Sequence, residues 1–206
     1  MQTFRETFKL AEANSRALLA NYGFSLSDLS VTEESDSQWV GGAAHYLENR
    51  RWFHMFKKRR FIRLSVAPLR LESDLDIGRG SESYSIYELH ELEGDSEFPE
   101  RTHDLYKAMY NEDQLQSEFE RLIKVFTLCG KRFIENDDSF WLDLRNQRIR
   151  RATLMENEQI FKEAQIAFKA QRWGKVVTLL ENKKQALSKL NHGRLIYAKK
   201  KMRQST

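Results

Sequence analysis

The most constraining feature of this sequence is a stretch in which apolar and polar residues alternate. In RFIRLSVAP, Ile62, Leu64 and Val66 fall on one side of an extended chain, whereas Arg63 and Ser65 fall on the other. A period of two is typical of a β-strand that buries one face on a core. The chain must therefore supply partner strands and a layer that covers the apolar face of the sheet.

Segments rich in β-branched and aromatic residues precede this strand. They are LSVTEESD, SQWVGGAAHYLEN and RRWFHMF, and Asp, Ser, Asn or charged turns separate them. This pattern predicts an antiparallel meander of three or four strands. Gly41 and Gly42 lie inside the second segment, where a bulge or the close approach of another backbone would use the missing side chains.

Helical periodicity dominates the rest of the chain. Apolar residues recur at helical spacing from Phe4 to Tyr22, and Gly23 follows where a helix would end. Longer amphipathic stretches, LQSEFERLIKVFTLCGKRFI and DSFWLDLRNQRIRRATL, come later. The predicted fold class is α+β, a small antiparallel β-meander packed with helices and followed by an α-helical C-terminal unit.

The predicted domains are an α+β domain over residues 1–151 and a helical appendage over residues 152–206. In the appendage, small and aromatic residues recur at Ala164, Phe168, Trp173, Val177 and Leu180. This pattern resembles a single tetratricopeptide-like helix pair, and a basic C-terminal helix follows it. No second copy of the repeat is present, so stacked repeats are not expected.

The chain has 206 residues, of which 40% are hydrophobic, and this is enough for a real core. Charged residues such as Arg5, Glu6 and Lys9 interrupt the N-terminal segment, so neither a signal peptide nor a membrane span is expected. The single cysteine, Cys129, permits no internal disulfide bond and is expected at the buried end of a helix. These features favour a cytoplasmic protein with no membrane partner.

Positive and negative charges are segregated along the chain. The net charge is +4 and the pI is about 9.1. Between Glu72 and Glu120, however, acidic residues far outnumber three cations, whereas Arg50–Arg63 and Lys183–Arg203 are almost purely basic. Such a distribution can steer a charged partner, or it can bring the basic and acidic parts of the chain together.

The basic segment RWFHMFKKRRFIR permits two interpretations. In the first it is a hairpin, in which the aromatic residues belong to the core and Lys57 to Arg60 lie at a solvated turn. In the second the hairpin binds nucleic acid, because stacking rings and cations on one face would hold bases and phosphates. The residues predicted for this alternative are Arg51, Trp52, Lys57, Lys58, Arg59 and Arg60.

The sequence contains no recognisable catalytic constellation. No two of the five histidines have the i, i+4 spacing that places two metal ligands on one helix face. Gly78 and Gly80 form a lone GxG without the lysine or the βαβ context of a phosphate site. Asp74 and Asp76 could be two magnesium ligands, although an ordinary acidic turn is the favoured interpretation. We therefore predict no catalytic residue, no metal site, no cofactor and no enzymatic activity.

The segment GRGSESYSIYELHEL, from Gly78 to Leu92, carries a wider resemblance. Together with the order of the N-terminal helix, the meander and the C-terminal half-repeat, it resembles an uncharacterised bacterial protein family. Some of its look-alikes resemble immunity proteins of polymorphic toxin systems. The resemblance implies a non-catalytic inhibitor that binds a toxin or effector domain. A pI of about 9.1 departs from the acidic surface expected of an inhibitor of a cationic nuclease.

The acidic region from Glu82 to Glu100 is the predicted partner-binding surface. A helix is expected there, capped by Ser81 or Ser83 after a turn at the two glycines. Its charges would accelerate docking and its aromatic residues would anchor the partner. The alternative is that the tyrosines only pack on the sheet. The residues predicted for this surface are Glu82, Tyr84, Tyr87, Glu88, Glu91, Glu93 and Phe98.

Overall fold

The computed structural model of the chain describes residues 3–33, 40–49, 58–67, 72–94, 97–100, 108 and 111–204. The chain forms two compact units, Met1–Leu144 and Arg145–Thr206, which are called the N-terminal and C-terminal units below. The division falls inside one continuous helix, Asp138–Lys169. The sequence predicted two separate helices over this range, with a domain boundary between residues 151 and 152, and that boundary lies in the same helix.

The N-terminal unit combines one antiparallel sheet with helices, which confirms the predicted α+β class. The strands are β1 (Phe24–Glu33), β2 (Val40–Glu48), β3 (Arg60–Ala67), β4 (Glu72–Arg79) and β5 (Glu82–Ser85). The helices are α1 (Phe4–Ala20), α2 (Ile86–Glu93), α3 (Glu112–Cys129), α4 (Lys131–Ile134) and the start of α5 (Asp138–Lys169). The strands pair in chain order, so the described meander has five strands where three or four were predicted.

The alternation in β3 determines which face of the sheet is buried. Ile62, Leu64 and Val66 are at most 2% exposed, as the alternation predicted. Helices α1 and α3 pack together on this inner face, where the rings of Phe8 and Phe119 meet edge to face at 5.5 Å. Cys129 is buried at the end of α3, as the sequence predicted. The inner face and these helices form the main hydrophobic core.

Gly42 allows α1 to pack closely on β2. A Cβ atom at this position would lie 2.6 Å from the ring of Phe8. At Gly42 the missing side chain therefore makes room for an aromatic ring, whereas at Gly41 a Cβ atom would lie 3.2 Å from the backbone carbonyl oxygen of Val66, so the predicted close approach of a backbone occurs there. The irregularity in strand pairing lies in β1 instead, between Leu26 and Asp28.

Arg60 does not lie in a solvated turn, and this corrects the interpretation of the basic segment. It is the first residue of β3 and is only 6% exposed. Its guanidinium forms an ion pair with Glu48 of β2 at 2.5 Å and donates hydrogen bonds to the backbone carbonyls of Phe133 and Ile134. Burial is tolerated because the charge is paired and both terminal nitrogens, Nη1 and Nη2, have acceptors.

The segment after β4 also differs from the prediction. Gly78 lies within β4 opposite Ser83, and the turn contains Gly80 with a left-handed φ of 66°. Helix α2 is capped by Ser85, not by Ser81 or Ser83, because the intervening residues form β5. The Ser85 side chain accepts the backbone N–H of Glu88, and the Glu88 side chain accepts that of Ser85.

The described residues of the C-terminal unit form helices joined by short turns. It contains the remainder of α5, α6 (Trp173–Glu181), a 3-10 helix (Lys184–Ala186) and α7 (Lys189–Gln204). All five residues of the tetratricopeptide-like pattern belong to its hydrophobic cluster. Ala164 and Leu180 are fully buried, and Phe168 and Trp173 meet edge to face at 5.4 Å.

Candidate protein-binding surface

The outer face of the sheet carries a polar row that crosses four strands. Asp28 of β1 lies opposite His45 of β2, His45 opposite Arg63 of β3, and Arg63 opposite Asp76 of β4. Directly opposed residues on one face are close enough for their side chains to interact. The row therefore has an acidic residue at each end, with His45 and Arg63 side by side between them.

Two open grooves lie on this face. The first, which we call the Tyr87 groove, has a volume of about 560 Å³ and is lined by residues that include Ala43, Arg63, Ser65, Asp74 and Tyr87. The second has a volume of about 640 Å³ and lies over the other end of the strands. Arg63 and Ala43 line both grooves. Small side chains at positions such as Ala43 and Ser65 create these depressions, because they leave the backbone of the sheet uncovered.

Asp74 forms an acidic wall of the Tyr87 groove. Burial, and secondly the charge of Asp76, raise the pKa of its carboxyl group to about 6. Its Oδ1 accepts backbone N–H groups of Leu75 at 2.8 Å and Ile86 at 3.4 Å, which oppose that rise. The bond to Ile86 connects β4 to the first residue of α2. Asp74 thereby helps to hold the helix that carries Tyr87 beside the groove.

His45 lies in the second groove. Burial lowers the pKa of its imidazole, and the positive charge of Arg63 lowers it further, whereas Asp28 acts in the opposite direction. Its ring contacts the ring of Phe61 at 5.0 Å. Phe61 in turn lies over Gly78, where a Cβ atom would lie 2.0 Å from the ring. These contacts favour the neutral imidazole in an aromatic setting.

Three of the predicted partner-binding residues meet at the surface beside the Tyr87 groove. Tyr87 is 44% exposed and stacks on Phe98 with ring centroids 4.4 Å apart and planes 21° apart. The rings of His90 and Phe98 meet edge to face at 5.1 Å, and the guanidinium of Arg121 lies 5.3 Å from the Phe98 ring centroid. Glu91 is exposed one helical turn after Tyr87. We call Tyr87, Phe98 and Glu91 the α2 patch.

Of the other four predicted residues, Tyr84, Glu88 and Glu93 contribute to the fold. Tyr84 is 3% exposed, and its ring lies 6.2 Å from that of Trp141 in the core. Glu88 closes the capping box of α2, and Glu93 forms an ion pair with Arg132 at 2.7 Å. Glu82 is half-buried on β5. The prediction that Tyr84 belongs to a surface helix with Tyr87 is therefore wrong, because Tyr84 lies on a strand and faces inward.

The residues predicted for nucleic-acid binding also include both exposed and buried side chains. Lys58 and Arg59 are exposed, and Arg59 Nε donates to the Glu48 carbonyl at 3.0 Å. Arg60 is buried and paired, so its guanidinium cannot reach a phosphate. Arg51, Trp52 and Lys57 lie outside the described residues.

The sequence predicted neither the two grooves nor the position of Arg63 between His45 and Asp76 in the polar row. The alternation in β3 placed Arg63 on the outer face, but its opposition to His45 and Asp76 depends on the register of three strands. Asp74 and Asp76 do share the outer face of β4. Among the described residues, however, no group of three or more potential His, Cys, Asp or Glu ligands could hold a metal ion.

Comparisons of the chain with protein-family models, curated proteins and solved structures produced no significant match. In the described part of the chain, none of the helices combines the length and the apolar character needed to cross a membrane.

Proposed function

We propose that this chain is a non-catalytic protein-binding protein of the immunity type, which inhibits a toxin or effector in the cytoplasm by covering its active site. The binding surface is the α2 patch together with the Tyr87 groove. One observation carries the proposal, namely that Tyr87 is 44% exposed while its ring is stacked on Phe98 and lines an open groove.

Stacking makes Tyr87 a suitable anchor for a partner. Tyrosine is enriched among the residues that dominate binding energy at protein interfaces. Its ring is held by Phe98, and Phe98 is held in turn by His90 and Arg121. Arg121 is itself fixed by Glu118, which is fully buried, at 2.7 Å. Little side-chain freedom remains to be lost on binding, and this favours affinity.

The charge of the N-terminal unit favours a basic target. Residues 1–144 contain 26 Asp and Glu residues against 18 Lys and Arg residues, a formal net charge of −8. The pI of the whole chain reflects the C-terminal residues and does not describe this unit. The basic pI is therefore no argument against a cationic target such as a nuclease toxin. Opposite charges would accelerate association with such a target.

The test uses the product of the gene beside this one, since a toxin is normally encoded next to its inhibitor. Co-expression of this chain should relieve the growth arrest that the product of the neighbouring gene causes. Calorimetry then measures the affinity of the two purified proteins. We expect Tyr87→Ala to weaken binding by about 30-fold or more, as at an interface hot spot. Glu91→Lys should weaken binding and reduce its dependence on salt.

Matched controls lie in the C-terminal unit. Tyr197 is 45% exposed, almost as much as Tyr87, and Glu158 is an exposed acidic residue of α5. Tyr197→Ala and Glu158→Lys should leave the affinity for the protein partner unchanged. The proposal is overturned if the two purified proteins form no complex, or if Tyr87→Ala binds within about threefold of the unaltered protein.

A further inference from the structure

The C-terminal unit carries an excess of positive charge that the proposed protein-binding surface does not use. Residues 145–206 contain 16 Lys and Arg residues against four Asp and Glu residues, a formal net charge of +12. Several cations are engaged locally, because Lys184 and Lys199 pair with Glu181 and Lys183 pairs with Glu156. The remaining excess attracts a polyanion.

Three aromatic rings form a cluster on this unit. Phe168 of α5, Trp173 of α6 and Tyr197 of α7 contact one another with centroid distances of 5.4, 5.5 and 5.6 Å. Phe168 and Trp173 are only partly buried, and Tyr197 is 45% exposed. Lys201 Nζ lies 5.7 Å from the Tyr197 ring centroid. We call these three rings the aromatic cluster.

Two glycines beside the cluster have no packing role. Gly193 lies in α7 one turn before Tyr197, and Gly174 follows Trp173 in α6. A Cβ atom at either position would have no neighbour within 4 Å, and neither glycine has a positive φ. Glycine is the least favourable helix residue apart from proline. The fold therefore does not require these glycines. Gly193 lies four residues before Tyr197 on the same face of α7, so a side chain there would occupy the open space on that face.

We propose that this face of the C-terminal unit binds single-stranded nucleic acid. Bases stack on the exposed ring of Tyr197 and the partly exposed ring of Trp173, and Arg172, Lys200 and Lys201 hold the phosphates. Stacking platforms flanked by cations are the means by which proteins bind single strands without sequence readout. A duplex hides its base faces, and acidic side chains of a protein would pair with the cations but give the rings no stacking partner.

The binding test uses the full chain and fluorescence anisotropy. The probes are labelled oligouridylate and oligothymidylate of about 16 nucleotides, the upper end of the site size of a single-strand-binding module. A duplex of the same length and polyglutamate serve as competitors. We expect both single strands to bind with an affinity that falls steeply as salt rises. A preference for one of them identifies RNA or DNA as the ligand.

Two variants separate stacking from simple charge attraction. Tyr197→Ala should weaken single-strand binding by at least about tenfold. Gly193→Leu should weaken it similarly because it fills the open space, while thermal unfolding shows a helix at least as stable as before. Gly193→Ala is the control for helix propensity, and Tyr87→Ala and Lys58→Ala are controls outside the unit. These three should bind as the unaltered protein does.

The proposal is overturned if neither single strand binds at low salt. It is also overturned if duplex or polyglutamate competes as well as the single strand does, or if Tyr197→Ala and Gly193→Leu leave the affinity unchanged. Because Tyr87→Ala and Tyr197→Ala are predicted to affect different ligands, failure of this proposal and failure of the proposed protein-binding function are distinguishable.

Discussion

The guanidinium of Arg60 connects three parts of the N-terminal unit. It pairs with Glu48 of β2, donates to the carbonyls of Phe133 and Ile134 at the end of α4, and lies 5.7 Å from the ring centroid of Phe24 in β1. The carbonyls at a helix end have no partner within the helix. Arg60 therefore supplies a donor to the carbonyls at the end of α4 and joins this helix to the central strand of the sheet.

We predict that Arg60→Ala lowers the free energy of unfolding by about 3–5 kcal/mol, because it removes the ion pair with Glu48 and the donor to the Ile134 carbonyl from a buried site. Lys58→Ala, at an exposed position two residues earlier, should change it by less than about 0.5 kcal/mol. Denaturant unfolding of both variants measures the difference. Equal effects of the two substitutions would mean that Arg60 is not a buried structural cation.

Asp74 makes the stability of the sheet depend on pH. Its pKa is raised to about 6 in the folded protein from 3.8. Between these values the folded state holds a proton that the unfolded state has released. The stabilisation that Asp74 contributes is therefore fully present below about pH 4 and is lost as the pH rises through about 6.

We predict that Asp74→Asn raises the free energy of unfolding near neutral pH by about 1 kcal/mol and has little effect below about pH 4. This gain in the free energy of unfolding is smaller than the full shift of the Asp74 pKa on folding would give, because water reaches part of the Asp74 side chain. Asparagine keeps an oxygen that can accept the N–H groups of Leu75 and Ile86. Unfolding curves over a pH series test this, with Glu72→Gln as the control for an exposed charge on the same strand. A pH-independent effect of Asp74→Asn would contradict the prediction.

At the scale of elements, the short strand β5 decides what the α2 patch contains. Because Glu82 to Ser85 continue the sheet, Tyr84 points into the core and α2 begins only at Ile86. Tyr87 then becomes the first exposed ring of the helix. The sequence contained the capping box of Ser85 and Glu88, which marks this start, but two earlier serines competed for the same role. The pairing of β5 with β4 excludes these two serines as the cap of α2. This pairing could not be inferred from the segment itself, because its partner strand lies outside it.

At the scale of the whole molecule, the net charge of +4 conceals two units of opposite charge. The N-terminal residues 1–144 carry −8 and the C-terminal residues 145–206 carry +12. The two proposed ligands, a basic protein and a single-stranded nucleic acid, have opposite charges and would be attracted to different units. Each ligand would be repelled by the unit that does not bind it, so the charges of the two units are enough to direct each ligand to its own unit.

We predict that purified, nucleic-acid-free protein attracts other copies of itself at low ionic strength. The acidic residues of one copy attract the basic residues of another, and salt weakens this attraction as the Debye length falls from about 30 Å at 0.01 M to about 8 Å at 0.15 M. Light scattering at several protein concentrations measures the sign of the interaction. A uniformly distributed charge of +4 would give repulsion at low salt instead, and that result would contradict the prediction.

Much of this architecture follows from local sequence. Alternation fixed the inward side chains of β3, helical periodicity located α1 and α3, and the separation of charges was evident from residue order. These features depend on periods of two or 3.6 residues within one segment, which determine the faces of a strand or a helix without knowledge of its partners.

Only the tertiary structure decided the burial of Arg60, the inward direction of Tyr84, the Tyr87 groove and the aromatic cluster. Each of these combines residues that are distant in sequence, such as Arg60 with Phe133, or Phe168 with Tyr197. A charged or aromatic side chain has no intrinsic preference that distinguishes a surface site from a paired or stacked one. Its environment depends on strand register and helix packing, because these determine which partners lie close enough to satisfy its charge or cover its ring.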